Sequence, residues 1–157
     1  MLKKSLKAMI MAAGMGSRLE PVTLLMPKPL IPVLNRPLMD IILAQLSSIG
    51  VREVISNTYY LSNQIIDRYE RNNLNIKFNY IRENELSGTA GGLKKCQFFF
   101  DKDEDFIVMS GDVLTTADIE AGIKRHKDSG AIATIGIKEV EHEKVSSLGV
   151  VVTDDNG

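Results

Sequence analysis

The chain has one cysteine, Cys96, and two histidines, His126 and His142, in 157 residues. A single cysteine excludes an internal disulfide, and one cysteine with two histidines falls short of a zinc site. A strong charge of either sign is lacking too: 19 Lys+Arg against 20 Asp+Glu leave a formal net charge of -1. That excludes a globally basic surface able to hold nucleic acid by counterion release. No apolar run reaches the ~18–20 residues of a membrane span. The short run Ala8–Ala13, after a basic start, has neither the length nor the cleavage site of a signal peptide, and it enters a glycine loop. These absences predict a cytoplasmic protein with neither a nucleic-acid nor a membrane partner.

Proline is missing from most of the chain as well. All five prolines, Pro21, Pro27, Pro29, Pro32 and Pro37, fall between positions 21 and 37. Proline lacks the amide donor and fixes φ, so this stretch is neither a regular helix nor a central strand. An irregular segment of that length inside a compact domain is usually functional. What is present fits one globular domain over residues 1–157: 44% apolar residues, 25% charged, and mean hydropathy of -0.02.

The remaining segments alternate. Lys7–Ala13 reads as a strand ending at Gly14, Pro37–Ile49 as a helix closed by Gly50, Val51–Asn57 as a strand, and Ser62 to about Arg71 as a helix. Asn75–Arg82 alternates Ile76, Phe78 and Tyr80 at period two, a strand with one buried face. A helix from about Thr89 to Phe100 carries Leu93, Cys96 and Phe99 inward, and Asp105–Ser110 is a strand. Thr115 or Thr116 caps a helix to about Lys127 that Gly130 closes, and Ala131–Ile137 and Gly149–Thr153 read as two further strands. Alternating strands and helices predict an α/β fold with a Rossmann-like, mostly parallel sheet covered on both faces. Asp154-Asp155-Asn156-Gly157 is a hairpin-turn signal that calls for a returning strand, so the domain is expected to be incomplete at its C-terminus.

Four segments could carry chemistry. In the first, Ala12-Ala13-Gly14-Met15-Gly16-Ser17-Arg18 follows a strand, where glycine lets backbone amides approach phosphate oxygens and Arg18 offers a fork of donors. A dinucleotide fingerprint is disfavoured because Leu19 stands where a third glycine belongs and Pro21 interrupts the helix; a Walker A loop lacks its Gly-Lys-Ser/Thr. In the second, Pro27-Lys28-Pro29 presents an ammonium on a stiff segment. The third, Glu85-Leu86-Ser87-Gly88-Thr89-Ala90-Gly91-Gly92, opens a helix with three glycines and suits a planar base or a phosphate. The fourth, Ser110-Gly111-Asp112, places a carboxylate beyond an apolar strand, where Mg²⁺ is held by one or two carboxylates plus phosphates. Taken singly each also reads as a plain turn, a solvated lysine or a cap. Cys96 reads as core packing, His126 as compensation of a helix dipole, and His142 as part of a solvated charged run, Lys138 to Lys144.

In this order and spacing the four segments resemble the sugar-nucleotide pyrophosphorylases, nucleotidyltransferases that join a nucleoside triphosphate to a sugar 1-phosphate. Gly88-Thr89-Ala90-Gly91 and the stretch Leu148-Gly149-Val150-Val151-Val152 are most similar to mannose-1-phosphate guanylyltransferases, with glucose-1-phosphate thymidylyl- and uridylyltransferases close behind. The resemblance implies GTP and mannose 1-phosphate as substrates and Mg²⁺ as cofactor. By it, Arg18, Lys28 and Asp112 are catalytic, with Asp112 also the metal ligand. Ala12, Ala13, Gly14, Met15, Gly16 and Ser17 hold the triphosphate; Gly88, Thr89 and Ala90 contact base or ribose; Gly149 lies near the sugar. Ser17 stands where the family more often has Thr, and Leu148 replaces an aromatic residue often found there. The family's later Glu-Lys-Pro segment and second metal-binding aspartate are not in this sequence. The alternatives are a non-catalytic nucleotide-binding module or an inactive fragment. Strand edges left open by a missing portion make a homo-oligomer a candidate arrangement.

Overall fold

A computed structural model describes residues 6–71, 75–101, 105–141 and 149–152. They fall into two units, one ending at Thr116 and the other beginning at Ala117.

The first unit opens with β1 (Lys7–Met11), whose Ala8, Met9 and Ile10 are fully buried. A strand buried on both faces needs a continuous apolar run rather than an alternating one, which is what KAMIM supplies. The proline stretch forms α1 (Val22–Leu25), a turn of 3-10 helix at Lys28–Leu30, and a two-residue antiparallel ribbon of β2 (Pro32–Val33) and β3 (Arg36–Pro37). Then come α2 (Leu38–Ser48), β4 (Glu53–Thr58), α3 (Ser62–Tyr69), β5 (Lys77–Arg82), α4 (Gly88–Lys95) and β6 (Phe106–Ser110). The helix expected to reach Phe100 ends instead at Lys95 and continues as a 3-10 turn, Gln97–Phe99.

The four main strands form one parallel sheet in the order β5-β4-β1-β6. Side chains alternate across it. Ala8, Ile10 and Val54 face α2 and α3, packing in one cluster with Leu43, Leu46, Ile65 and Tyr69. Met9 and Ile55 face the other way with Cys96, Leu93 and Phe99. Helices therefore cover both faces, and each fully buried Leu or Ile contributes about 1.5–3 kcal/mol. Cys96 is core packing, as expected; burial, with the Glu83 charge adding, pushes its thiol up to about 11.

The connection through α2 and α3 carries the chain outward from β1 to β4 and β5, whereas β6 returns to the opposite side of β1. The direction of winding thus reverses between β1 and β6. Where it reverses, neighbouring loops diverge and leave a crevice beyond the carboxyl ends of the strands.

In the second unit, α5 (Ile119–Ser129) is capped by Asp118, whose carboxylate accepts from the Ala121 amide at 2.9 Å, and Gly130 closes it at φ +62°. The cap is therefore Asp118 rather than Thr115 or Thr116. An aspartate at this position accepts as well as a threonine does, and carries charge toward the positive end of the helix. His126 does fall in the last turn. The strand expected over Ala131–Ile137 is absent: the segment forms no ladder, and Ile132, Ile135 and Ile137 are exposed. Residues 149–152, the described part of the expected strand Gly149–Thr153, form no ladder either. β-Branched composition favours a strand only where a neighbouring edge completes its hydrogen bonds. His142, Leu148, Thr153 and the turn Asp154–Gly157 lie outside the described residues. Among the described residues no helix is long and apolar enough to cross a membrane.

Candidate functional site

A cavity of about 380 Å³ opens where β1, β4, β5 and β6 end. Arg18, Lys28 and Asp112, drawn from three separate segments, all line it. So do Ala12, Ala13, Gly14, Gly16 and Ser17 of the first loop, and Gly88 and Thr89 of the second. Met15 and Ala90 are exposed and do not line it. Gly149 belongs to the second unit.

Local chemistry explains how the first loop is shaped. Gly16 sits at φ +69°, a left-handed conformation that glycine adopts without steric cost. A Cβ there would lie 2.9 Å from Thr23 Cγ2 and 3.2 Å from Lys28 Cβ. The buried Thr23 hydroxyl donates to the Gly16 carbonyl at 3.0 Å, pinning the loop to α1. Lys28 is held between Pro27, extended at φ -66°, and the buried Pro29. Its ammonium is thereby delivered at little entropic cost to Asp112, donating to Oδ2 at 2.5 Å. Ser110 donates to Asp112 Oδ1 at 2.5 Å, and the Gly111 amide donates to the Met11 carbonyl at 2.8 Å, tying the β6 tip to β1. Burial pushes the Asp112 carboxyl up, but the hydrogen bonds from Lys28 and Ser110, with the Lys28 charge, hold it below its ordinary value. It is therefore a carboxylate at neutral pH.

Two further polar side chains line the cavity that sequence reasoning did not single out, Asn57 at the end of β4 and Glu83 just past β5. Both are buried, Glu83 at 6% exposure. Asn57 Oδ1 accepts from the Ala12 amide at 3.2 Å, and its Nδ2 donates to Glu83 Oε1 at 2.7 Å. Glu83 Oε2 accepts from the Ser87 amide at 3.1 Å, from the Ser87 hydroxyl, and from Lys95 at 3.1 Å. Burial raises the Glu83 carboxyl, yet the bonds from Ser87, Asn57 and Lys95 outweigh it and keep the pKa low. The available signal was positional: each is a polar residue at the carboxyl end of a strand, as Asp112 is.

The donor set suits a hard cation only in part. Asp112 presents a carboxylate to the cavity, and its lone pairs outnumber the hydrogen bonds it accepts from Lys28, Ser110 and its own backbone amide. Glu83 is committed to four donors. Among the described residues no group of three or more His, Cys, Asp and Glu comes together. One carboxylate fits Mg²⁺ when substrate phosphates and water complete the shell, and does not fit a cage made wholly by protein.

Comparison with known proteins gives a consistent picture. The family profile described as nucleotidyl transferase matches residues 7–157. A UTP–glucose-1-phosphate uridylyltransferase of Synechocystis is 42% identical, over 97% of this chain and 42% of its own. The mannose-1-phosphate guanylyltransferase catalytic subunit beta of Danio rerio is 36% identical, over 97% of this chain and 43% of its own. Among solved structures, HddC from Yersinia pseudotuberculosis complexed with GMP-PN is 31% identical with a TM-score of 0.69, over 78% of this chain and 55% of its own. The chain thus spans about two-fifths of the length of the two curated relatives.

Proposed function

Because the chain belongs to the nucleotidyl transferase family, we propose that the protein transfers a nucleotidyl group from a nucleoside triphosphate to a sugar 1-phosphate. A phosphate oxygen of the sugar 1-phosphate attacks the α-phosphorus in line, the bond to the bridging oxygen breaks, and pyrophosphate leaves with both electrons of that bond. Such a reaction asks the protein for positioning and charge neutralisation more than for covalent chemistry. The observation that carries the reading is the convergence of Arg18, Lys28 and Asp112 on one cavity beside a glycine loop at the winding reversal.

Each residue then has a task. The loop from Ala12 to Ser17 receives the triphosphate, and Arg18 stabilises charge on the transferring phosphoryl group. Lys28 leaves Asp112 for a phosphate oxygen when substrate enters. Asp112 would hold Mg²⁺, which would supply neutralisation of phosphate charge when bound. Gly88 and Thr89 face the base or ribose; Met15, Ala90 and the sugar-side Gly149 keep only the resemblance as support. One domain over residues 1–157 in a cytoplasmic protein belongs to the same proposal.

The resemblance of the Gly88–Gly91 loop favours GTP with mannose 1-phosphate, and the Synechocystis relative favours UTP with glucose 1-phosphate. Titrating GTP, UTP and dTTP separately with Mg²⁺, then assaying pyrophosphate release with mannose and glucose 1-phosphates, decides between them. Release with one matched pair is the expected result. Nucleotide binding without release fits a non-catalytic module or an inactive fragment, which release by a longer chain separates, and no binding of any of the three overturns the reading.

A further inference from the structure

The two glycine-bearing walls of the cavity come from distant segments, yet one unbroken chain of hydrogen bonds, buried at its centre and part-buried at Ser87 and Lys95, joins them. It runs from the Ala12 amide to Asn57 Oδ1, from Asn57 Nδ2 to Glu83 Oε1, and from Glu83 Oε2 to Ser87 and Lys95. Ala12 is the first residue of the first loop, and Ser87 directly precedes the second. We infer that Asn57 and Glu83 are positioning residues, a directional relay that fixes the spacing of the two nucleotide-facing loops. This inference rests on the proposed function for what the loops hold.

The relay has a direction because its members differ in what they can do. An ionised carboxylate only accepts, so the atom of Asn57 that faces Glu83 must be the amide nitrogen. That leaves Oδ1 to face Ala12, where it accepts the amide as one more rung beyond the end of β1. The Ala12 amide, which only donates, demands the same orientation from the other side. Space is fixed as well: α4 backs so closely on the relay that a Cβ on Gly92 would lie 2.5 Å from Asn57 Nδ2. The glycine in this helix interior, costly in conformational entropy, is accounted for by that approach.

The direction gives a reciprocal test. Glu83→Gln puts an NH₂ either against Ser87 and Lys95, which are donors, or against Asn57. In the second case Asn57 must turn over, and its own NH₂ meets the Ala12 amide. Asn57→Asp places two carboxylates 2.7 Å apart, where Nδ2 and Oε1 now meet. Combining Asn57→Asp with Glu83→Gln restores every donor and acceptor. The carboxylate then at position 57 would take the Ala12 amide and one N–H of the amide then at position 83, whose oxygen would take Ser87 and Lys95. Two readings are needed, hydrogen exchange at the Ala12 amide and affinity for UTP and for GTP with Mg²⁺, both well below the unfolding temperature of each variant.

Each single variant should speed Ala12 exchange and weaken the triphosphate that the parent binds by about tenfold or more, the consequence of an orphaned buried donor. The double variant should return to within about threefold of the parent, since its hydrogen-bond inventory is complete again. A residue that served stability alone would lower the unfolding temperature without moving affinity in the folded protein. Single variants with parental exchange and affinity, or a double variant as impaired as the two losses combined, overturn the relay. Should a single variant fail to fold, parental Ala12 exchange restored in the double variant still supports it, and exchange left fast overturns it. A parent that binds neither UTP nor GTP overturns the functional reading instead, so the two failures are distinct.

Discussion

Lys28–Asp112 and Lys95–Glu83 are the same kind of ion pair, 2.5 and 3.1 Å long, and both stand at the carboxyl end of the same sheet. In the first, both side chains are about 30% exposed (29% and 31%); in the second, the lysine is 41% exposed and the carboxylate only 1%. Asp112 accepts from one lysine and one serine, with the cavity beside it. Glu83 accepts from four donors on three residues. An open pair can exchange its partners for a ligand at small cost, because water compensates either ion while it is free. A saturated buried carboxylate cannot, because the departure of its donors leaves a desolvated charge. Identical chemistry thus gives an exchangeable site in one place and a scaffold in the other.

The largest expected effect sets these two against each other directly. Glu83→Ala should lower the unfolding free energy by about 2–3 kcal/mol, orphaning the buried Asn57 Nδ2 and the part-buried Ser87 amide, while Lys95, at 41% exposure, turns to water. Asp112→Ala should cost less than about 1 kcal/mol, since its pair is part-exposed and screened. Denaturant unfolding of both variants measures the contrast, and equal losses would erase it.

For ligand binding the ranking inverts toward the open side. Arg18 lines the cavity, whereas Arg36 lies in β3 and does not. Arg18→Ala should weaken triphosphate binding by about 2 kcal/mol, the scale of a lost charge-assisted hydrogen bond, roughly thirtyfold. Arg36→Ala should change it by less than about twofold, within the ordinary range of a surface substitution. Calorimetric titration compares them; equal effects would take the triphosphate away from the first loop. Asp112→Asn keeps shape and removes charge, so the Mg²⁺-dependent part of binding should fall by about tenfold while thermal stability barely moves. Unchanged Mg²⁺ dependence would reduce Asp112 to a turn residue.

The sheet was legible because its signals are local. An apolar run such as Ala8–Met11 or Phe106–Met109 declares a strand, buried in the first case and part-exposed in the second, and Pro37 and Gly50 bracket α2. The open half of the site was legible for a related reason: Arg18, Lys28 and Asp112 lie in segments whose glycines and prolines mark unusual backbone. Asn57 and Glu83 carried no such mark. Their importance arises from burial and from contacts 45 and 26 residues apart in sequence, which no local pattern encodes. The strand expected at Ala131–Ile137 failed in the opposite sense, because a β-branched run promises a strand and only a neighbouring edge can make one.

Acid makes the finest distinction between the two pairs. Both carboxyls titrate below their ordinary values of 4.5 for Glu83 and 3.8 for Asp112. A group whose folded pKa is lowered contributes its full stabilisation above the unfolded value and loses it as pH falls through the folded value. Neither pair should therefore tilt the stability profile between pH 5 and 7, a window above both ordinary values. As pH falls through those ordinary values the unfolded chain takes up protons that the folded protein does not, and stability falls with it. The maximal slope for one proton is about 1.4 kcal/mol per pH unit, and each group supplies a fraction of it. Solvent reaches Asp112 and damps its share, whereas Glu83 has none to help it. Unfolding free energies measured from pH 5 down to 2.5 should accordingly show a shallower acid limb in Glu83→Gln and a nearly parental one in Asp112→Asn. The reverse order would mean that the open pair, not the buried one, holds the sheet's carboxyl end together.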